Sequence, residues 1–315
     1  KQRNPVLFHS DHTTGNIVLK PLLEKDGVPS ISIAPASVGT YPPATLYSTS
    51  PTYPDMAAMF MDYLLETLDE PPKIAFLSGD NPFGREPDIP SVYEYAEQHG
   101  VEIVTAEYVP PLPVDVTVNL RRIEELGANA IWTNSTDITL LPCMKDAVRL
   151  GIRDKFVWGT CSFCSFSRVL LAAEDDPEIA EGIEGLFTPF AYAMFSETDI
   201  PGVKFMKELA LRYRGTDDLG GDNLYYCFGL TQAITGIEAI RLALEEVPAD
   251  QLTGRDVIEQ GFSRMKDFDP MGLNQALENY GEDMPRNGIT TAVPAVIQNG
   301  KFVRIAVELH PHGLH

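Results

Sequence analysis

The sequence predicts an α/β protein of two lobes, each a doubly wound parallel sheet. Three observations predict it. Short apolar runs that read as buried strands alternate with amphipathic helical stretches from residue 5 to residue 192. Each run ends in a polar loop rich in Ser, Thr, Asn or Asp, as strand-to-helix connections of a parallel sheet do. After residue 200 the pattern changes to helices with no strand nearby, and the chain closes on a hairpin signal at Asn299-Gly300. A chain of 315 residues is long enough for two cores.

Taken in order, residues 5–9 read as a strand, followed by the hydroxyl-dense loop 10–16 and a helix over 17–25 that Gly27 stops. The next strand, 28–33, ends in Ala34-Pro35-Ala36-Ser37. Over 54–68, Met56, Met59, Phe60, Tyr63, Leu64 and Leu68 recur at helical spacing. Asp69-Glu70-Pro71-Pro72 breaks that helix as a linker would. Residues 73–77 are a buried strand, and the loop 78–84 after it carries one aromatic, Phe83. A helix over 91–100, a strand over 101–104 and a helix over 117–127 follow. The strand 130–133 leads into Asn134-Ser135-Thr136-Asp137 and a helix to Leu150. The strand 155–158 closes into Gly159-Thr160-Cys161-Ser162, and residues 185–192 read as the last strand of this run. Helices are expected over 203–214, 224–246 and 253–264, then a hairpin of 292–297 and 302–307. Two lobes with several crossings follow: residues 1–71 with 190–284, and 72–189 with 285–315.

Composition narrows the function classes. Hydrophobic residues make up 44% and charged residues 22%, which describes a globular chain. Lys and Arg number 24 against 45 Asp and Glu, a net charge of −21 that repels nucleic acid. Every apolar run is too short for a membrane span. No secretory signal opens the chain, as is also true of a mature exported protein. Neither a dinucleotide fingerprint, a P-loop, a zincin motif nor a nucleophile elbow is present.

Of the four cysteines, Cys161 and Cys164 form a C-x-x-C at a strand-to-helix turn, where a helix N-terminus would acidify a thiol. A thiol oxidoreductase using that pair is the enzyme alternative. Two small buried or structurally paired residues are the plain reading. The tail histidines 310, 312 and 315 read as a solvated terminus, and Tyr225 and Tyr226 read as core. The polar loops after the strands suit a small anion such as a carboxylate, because a parallel sheet gathers them on one edge. Helix capping alone would also use these residue types. They hold no nucleophile–base pair, so no catalytic residue, metal or cofactor is expected.

At these loops the chain resembles the leucine/isoleucine/valine-binding protein family, the type I solute receptors of ABC importers. The resemblance runs from about Pro5 to Val307. It is carried by HTTGN, by LLEKDGVPSISIAPAS, by PPKIAFLSGDNPFG, by NLRRIEELGANAIWTNSTD, by KFVWGTCS and by AVPAVIQNGKFV, in that order. It implies two lobes joined by three hinge crossings, one of them at Asp69-Glu70-Pro71-Pro72, and a solute trapped between them. By position, Thr13 matches the hydroxyl residue that holds the ligand carboxylate, with Ala34, Ala36 and Ser37 beside it. Phe83 matches an aromatic lid, usually Tyr, and Asn134 and Thr136 match a contact loop of the second lobe. Cys161, with Ser162, stands where amino-acid receptors of the family place an acid for the ligand ammonium.

Two departures shape the expectation. The family's opening βαβ segment is absent, so the first lobe is expected to lack its N-terminal part and the sequence to be incomplete there. Cys161 supplies no negative charge for an ammonium, so the solute is expected to be an amino acid or an aromatic or aliphatic organic acid, the latter fitting the hydroxyl and aromatic loops at least as well. The expected protein is a non-enzymatic, exported solute-binding protein, periplasmic and monomeric. It would serve a membrane permease of an ABC importer. A ligand-sensing domain of a receptor or regulator is the remaining alternative.

Overall fold

In the computed structural model the described residues are 4–163, 167–217, 224–281, 286–310 and 312–314. They form two sheets. The smaller is parallel and three-stranded, β1 (Phe8–Ser10), β2 (Ser30–Ser32) and β3 (Leu46–Ser48), in that order. Between these strands lie α1 (Thr13–Asp26) and the single turn α2 (Ser37–Thr40). The helix α1 starts at Thr13 and not at residue 17. His12 caps it, its ring nitrogen accepting the Gly15 N–H at 3.2 Å, so the hydroxyl-rich loop becomes the first helical turn.

After β3 the chain enters α3 (Tyr53–Thr67), begun by Thr52 and Asp55 as a reciprocal capping box. The seven-stranded sheet then assembles in the order β10-β9-β8-β7-β6-β4-β5. Its parallel part is β4 (Lys73–Gly79), β5 (Glu102–Val109), β6 (Ala130–Thr133), β7 (Val157–Thr160) and β8 (Phe187–Phe190). Its antiparallel end is β9 (Val293–Gln298) and β10 (Lys301–Arg304), turning at Asn299-Gly300 with both φ positive. The connecting helices are α4 (Pro82–Arg85), α5 (Pro90–Gln98), α6 (Thr117–Glu125), α7 (Asp137–Arg149), α8 (Ser167–Asp175) and α9 (Pro177–Ile183).

The helix α3 packs on β7, β8 and α5, so it belongs with the seven-stranded sheet. Phe60 lies 5.4 Å from Trp132 and 5.6 Å from Phe187, ring centre to ring centre. Gly159 admits this contact: a Cβ there would come within 2.5 Å of the Phe60 ring. The crossing expected at residues 69–72 therefore joins two elements of one layer. The chain changes sheets earlier, at residues 49–52.

Beyond β8 come α10 (Pro201–Arg214) and α11 (Leu224–Ala243), then a short helical run from Gly254 to Arg264. The first turns of α11 place Leu224, Cys227 and Phe228 in the large core. Its last turns place Ala239 and Ala243 in a smaller core with Ile31, Tyr47 and Phe262. Phe228 sits 4.4 Å from Tyr192 and 5.0 Å from Phe163.

Three chain passages meet where the sheets join. Thr49 Oγ1 and Tyr192 OH share a hydrogen bond of 2.7 Å. Ala193 N–H donates to Leu273 O at 2.7 Å, and Gln275 N–H to Ala191 O at 2.9 Å. The Tyr280 hydroxyl donates to Ser48 O at 2.7 Å. Beside it lies Glu278, fully buried, taking hydrogen bonds from Thr235 Oγ1 at 2.9 Å and from Asn274. Burial pushes its carboxyl up to about 8, against the bonds from Thr235 and Tyr280. The Tyr280 hydroxyl lies between Ser48 O and Glu278 Oε2, at 2.7 and 3.2 Å.

Of the tail histidines, His312 is docked, contrary to the sequence expectation, His310 is exposed, and His315 lies outside the described residues. His312 Nε2 lies 3.0 Å from Asp62 Oδ2 on α3, and both side chains are 5% exposed. Leu314 N–H donates to Asp55 Oδ1 at 2.9 Å. Burial raises the Asp62 carboxyl, but hydrogen bonds from His312, Tyr95 and His310 outweigh it and hold the group below its usual range.

Candidate functional site

A cavity of about 450 Å³ lies between the ends of the two sheets. From the three-stranded side it takes Asp11, His12, Thr13 and Thr14 at the start of α1, with Ile33 and Ala34 after β2. From the seven-stranded side it takes Tyr53 at the start of α3, Asn81 and Phe83 on α4, and Pro111, Thr136 and Phe163. Tyr225 of α11 completes the wall.

The walls are aromatic and mutually packed. Tyr53 and Phe83 lie 4.7 Å apart, and Phe163 lies 5.8 Å from Tyr53. Burial drives the Tyr53 hydroxyl well above its usual range, and the Thr13 side chain is its hydrogen-bond partner. The neutral hydroxyl thus ties α3 to α1 across the cavity floor. Two helix N-termini open onto the space, α1 at Thr13 and α7 behind Thr136. Their first amides point outward without intrahelical acceptors and favour negative charge. An apolar body with one anionic end fits this arrangement.

Of the nine residues proposed from sequence, Thr13, Ala34, Phe83 and Thr136 line the cavity. Ala36, Ser37, Asn134, Cys161 and Ser162 do not. Ser37 gives both its N–H and its hydroxyl to Glu86 Oε2, at 2.8 and 2.9 Å. The Asn134 side chain donates to Phe83 O at 2.6 Å and so holds the lid from behind. Cys161 is buried with its sulfur 3.8 Å from Ser135 O, and the Ser162 hydroxyl lies 3.6 Å from Met56 Sδ. The strand-end loop turns those two inward and presents Phe163 to the cavity in their place. Cys164 lies outside the described residues, so the proposed thiol pair has no geometry to weigh, and its buried member does not line the cavity.

Tyr53, Phe163, Pro111 and Ile33 were missed. Tyr53 had a signal: it directly follows the capping Thr52, and the first residue of a helix on a sheet edge faces that edge. Phe163 had none, because only the turn after Cys161 decides which residue projects. The lid helix α4 itself depends on Gly84, where a Cβ would fall 1.9 Å from Gly79 O. Asn81 Oδ1 caps it by accepting the Gly84 N–H at 2.9 Å.

Comparison with known proteins adds the family. The periplasmic binding protein family model matches residues 6–295. No sequence among the curated proteins matches the chain. Among solved structures the chain is similar to a branched-chain amino acid ABC transporter protein from Thermus thermophilus with bound valine. The identity is 23%, over 96% of this chain and 77% of that one, with a TM-score of 0.81. It is similar to an ABC transporter substrate-binding protein from Aeropyrum pernix, at 16% identity over 98% and 78%, TM-score 0.79. A fatty acid ABC transporter substrate-binding protein from Thermomonospora curvata matches at 17% identity over 98% and 77%, TM-score 0.77. At these identities the likeness is one of fold. No helix among the described residues is long and apolar enough to cross a membrane. Two mainly parallel sheets facing each other across an aromatic cavity, with a family match over most of the length, lead to one conclusion: the chain belongs to the periplasmic binding protein family, with its type I α/β fold, and has a solute-binding role.

Proposed function

We propose that this protein is the exported solute receptor of an ABC importer and that it binds a small monocarboxylate with an apolar body. The observation that carries the reading is the cavity itself. Tyr53, Phe83 and Phe163 offer an apolar enclosure, and Thr13 and Thr14 at the start of α1 offer donors to one anionic group. The carboxylate would take Thr13, and the body would lie against Phe83. Phe83 has no hydroxyl, and Cys161 is buried away from the cavity, so the site has neither a lid donor nor an acid at that position for an ammonium. Aromatic and branched aliphatic acids fit best.

In this reading the chain divides into two lobes, with α11 packed into both cores. One holds residues up to 48 together with α10, α11 and the helical run after Gly254. The other holds residues 52–190 and the chain from 293 onward. The protein would work as a monomer in the periplasm and hand its solute to a membrane permease. Isothermal titration against amino acids, aromatic acids and aliphatic acids tests this. A micromolar or tighter monocarboxylate supports it, whereas a panel without any binder removes it.

A further inference from the structure

The Ser37 N–H and hydroxyl form a ready donor pair beside the cavity, three residues beyond Ala34, and Glu86 from the opposite lobe occupies both. We propose that Glu86 is a specificity-determining residue, a resident carboxylate that fills the Ser37 donors across the cleft and confines the site to solutes with a single carboxylate held at Thr13. This rests on the solute-receptor reading above and adds a rule of exclusion to it.

The geometry makes Glu86 a fixed part of the cleft. It follows α4 directly, three residues after Phe83, so one short helix presents the aromatic to the cavity and the acid to Ser37. That helix is held by the Gly84 approach to Gly79, by the Asn81 cap and by the bond from Asn134 to Phe83 O. Glu86 is 7% exposed, and its partners among the described residues are both on Ser37; neither is a cation. Burial raises its carboxyl, and the two Ser37 bonds oppose that rise. A solute carboxylate approaching Ser37 finds both donors taken and a second carboxyl group in its place, which disfavours it. A carboxylate at the start of α1 stays clear of Glu86, and the backbone N–H groups of Thr13 and Thr14 can receive it beside Asp11.

Acetate is the probe, read as a change in melting temperature. In Glu86→Ala the Ser37 donors are vacated, and acetate should raise the melting temperature by about 2–4 °C more than it does in the wild type. The double variant Glu86→Ala/Ser37→Ala should lose that excess. An equal response of wild type and Glu86→Ala, or an excess that survives loss of the Ser37 hydroxyl unchanged, overturns the proposal. Succinate, a dicarboxylate, should likewise gain at least tenfold in affinity for Glu86→Ala over wild type. If Glu86→Ala does not fold, Ser37→Ala carries the test through the carbon-13 titration of the Glu86 carboxyl. Removing one donor should move that titration upward, and an unmoved titration refutes the pairing. A protein that binds no panel solute yet shows the acetate excess loses the receptor reading and keeps the filled Ser37 pair. A protein that binds a solute without the excess loses only the role of Glu86.

Discussion

Glu86 and Glu278 are both buried acids where the lobes meet, and they are held in different ways. At the cleft, Glu86 receives an amide and a hydroxyl from Ser37, which follows the cavity-lining Ala34 by three residues. At the hinge, Glu278 is enclosed by Thr235, Asn274 and Tyr280. Burial raises the cleft acid as well, against the two Ser37 bonds. The hinge acid is raised by burial to about 8 and carries a proton at neutral pH. The difference separates a surface built to face a ligand from one built to exclude water.

The largest expected effect tests the hinge. A carboxyl raised from 4.5 to about 8 in the folded protein binds a proton that the unfolded chain releases. Its stabilising contribution is full below pH 4.5 and is lost as pH rises toward 8, at about 1.4 kcal/mol per pH unit. Asp269 is the charged group that faces it, and it pushes in the same upward direction. Denaturant unfolding should show wild type losing roughly 4 kcal/mol relative to Glu278→Gln between pH 5 and pH 8. Parallel pH profiles would mean that Glu278 is ionised at the hinge and that the contrast with Glu86 is false.

Next comes the cleft lid. Phe83→Ala should weaken binding of the best monocarboxylate by about 10- to 30-fold in titration calorimetry, with the circular dichroism spectrum unchanged. Unchanged affinity would mean that the solute does not lie against Phe83. The smallest effect returns to the hinge. Tyr192→Phe removes only the hydroxyl bonded to Thr49, and should lower stability by about 1 kcal/mol without altering solute affinity. A large loss of affinity there would make the hinge part of the binding surface and erase the distinction between the two regions.

Much of this fold can be read in the sequence, because β4, β6, β7 and β9 are apolar runs and α3 and α7 are periodic. The strand β3 could not be read: Leu46-Tyr47-Ser48 is three residues long and has no alternation to detect. The start of α1 was misplaced because a His cap gives a weaker signal than Ser or Asp. Of the side chains proposed from position along the chain, some line the cavity and others pack behind it. Thr13, Ala34, Phe83 and Thr136 line the cavity, whereas Ser162 turns inward and its neighbour Phe163 projects. Residues 161–163 lie in the turn after β7, where no strand alternation tells which side chain projects. Ser37 lies outside the cavity lining for a different reason. Its partner is 49 residues away, and no local pattern encodes such a pair.

One feature of the fold bears on how a solute gets in. The helix α11 is anchored in both cores, with Phe228 against Phe163 and Tyr192 at one end and Ala239 and Ala243 at the other. Pulling the lobes straight apart would wet those aromatic faces, at about 25 cal/mol for every Å² of apolar surface uncovered. A swing pivoting on Phe228 leaves them dry. By that measure a swing about α11 costs less than a straight separation of the two sheets.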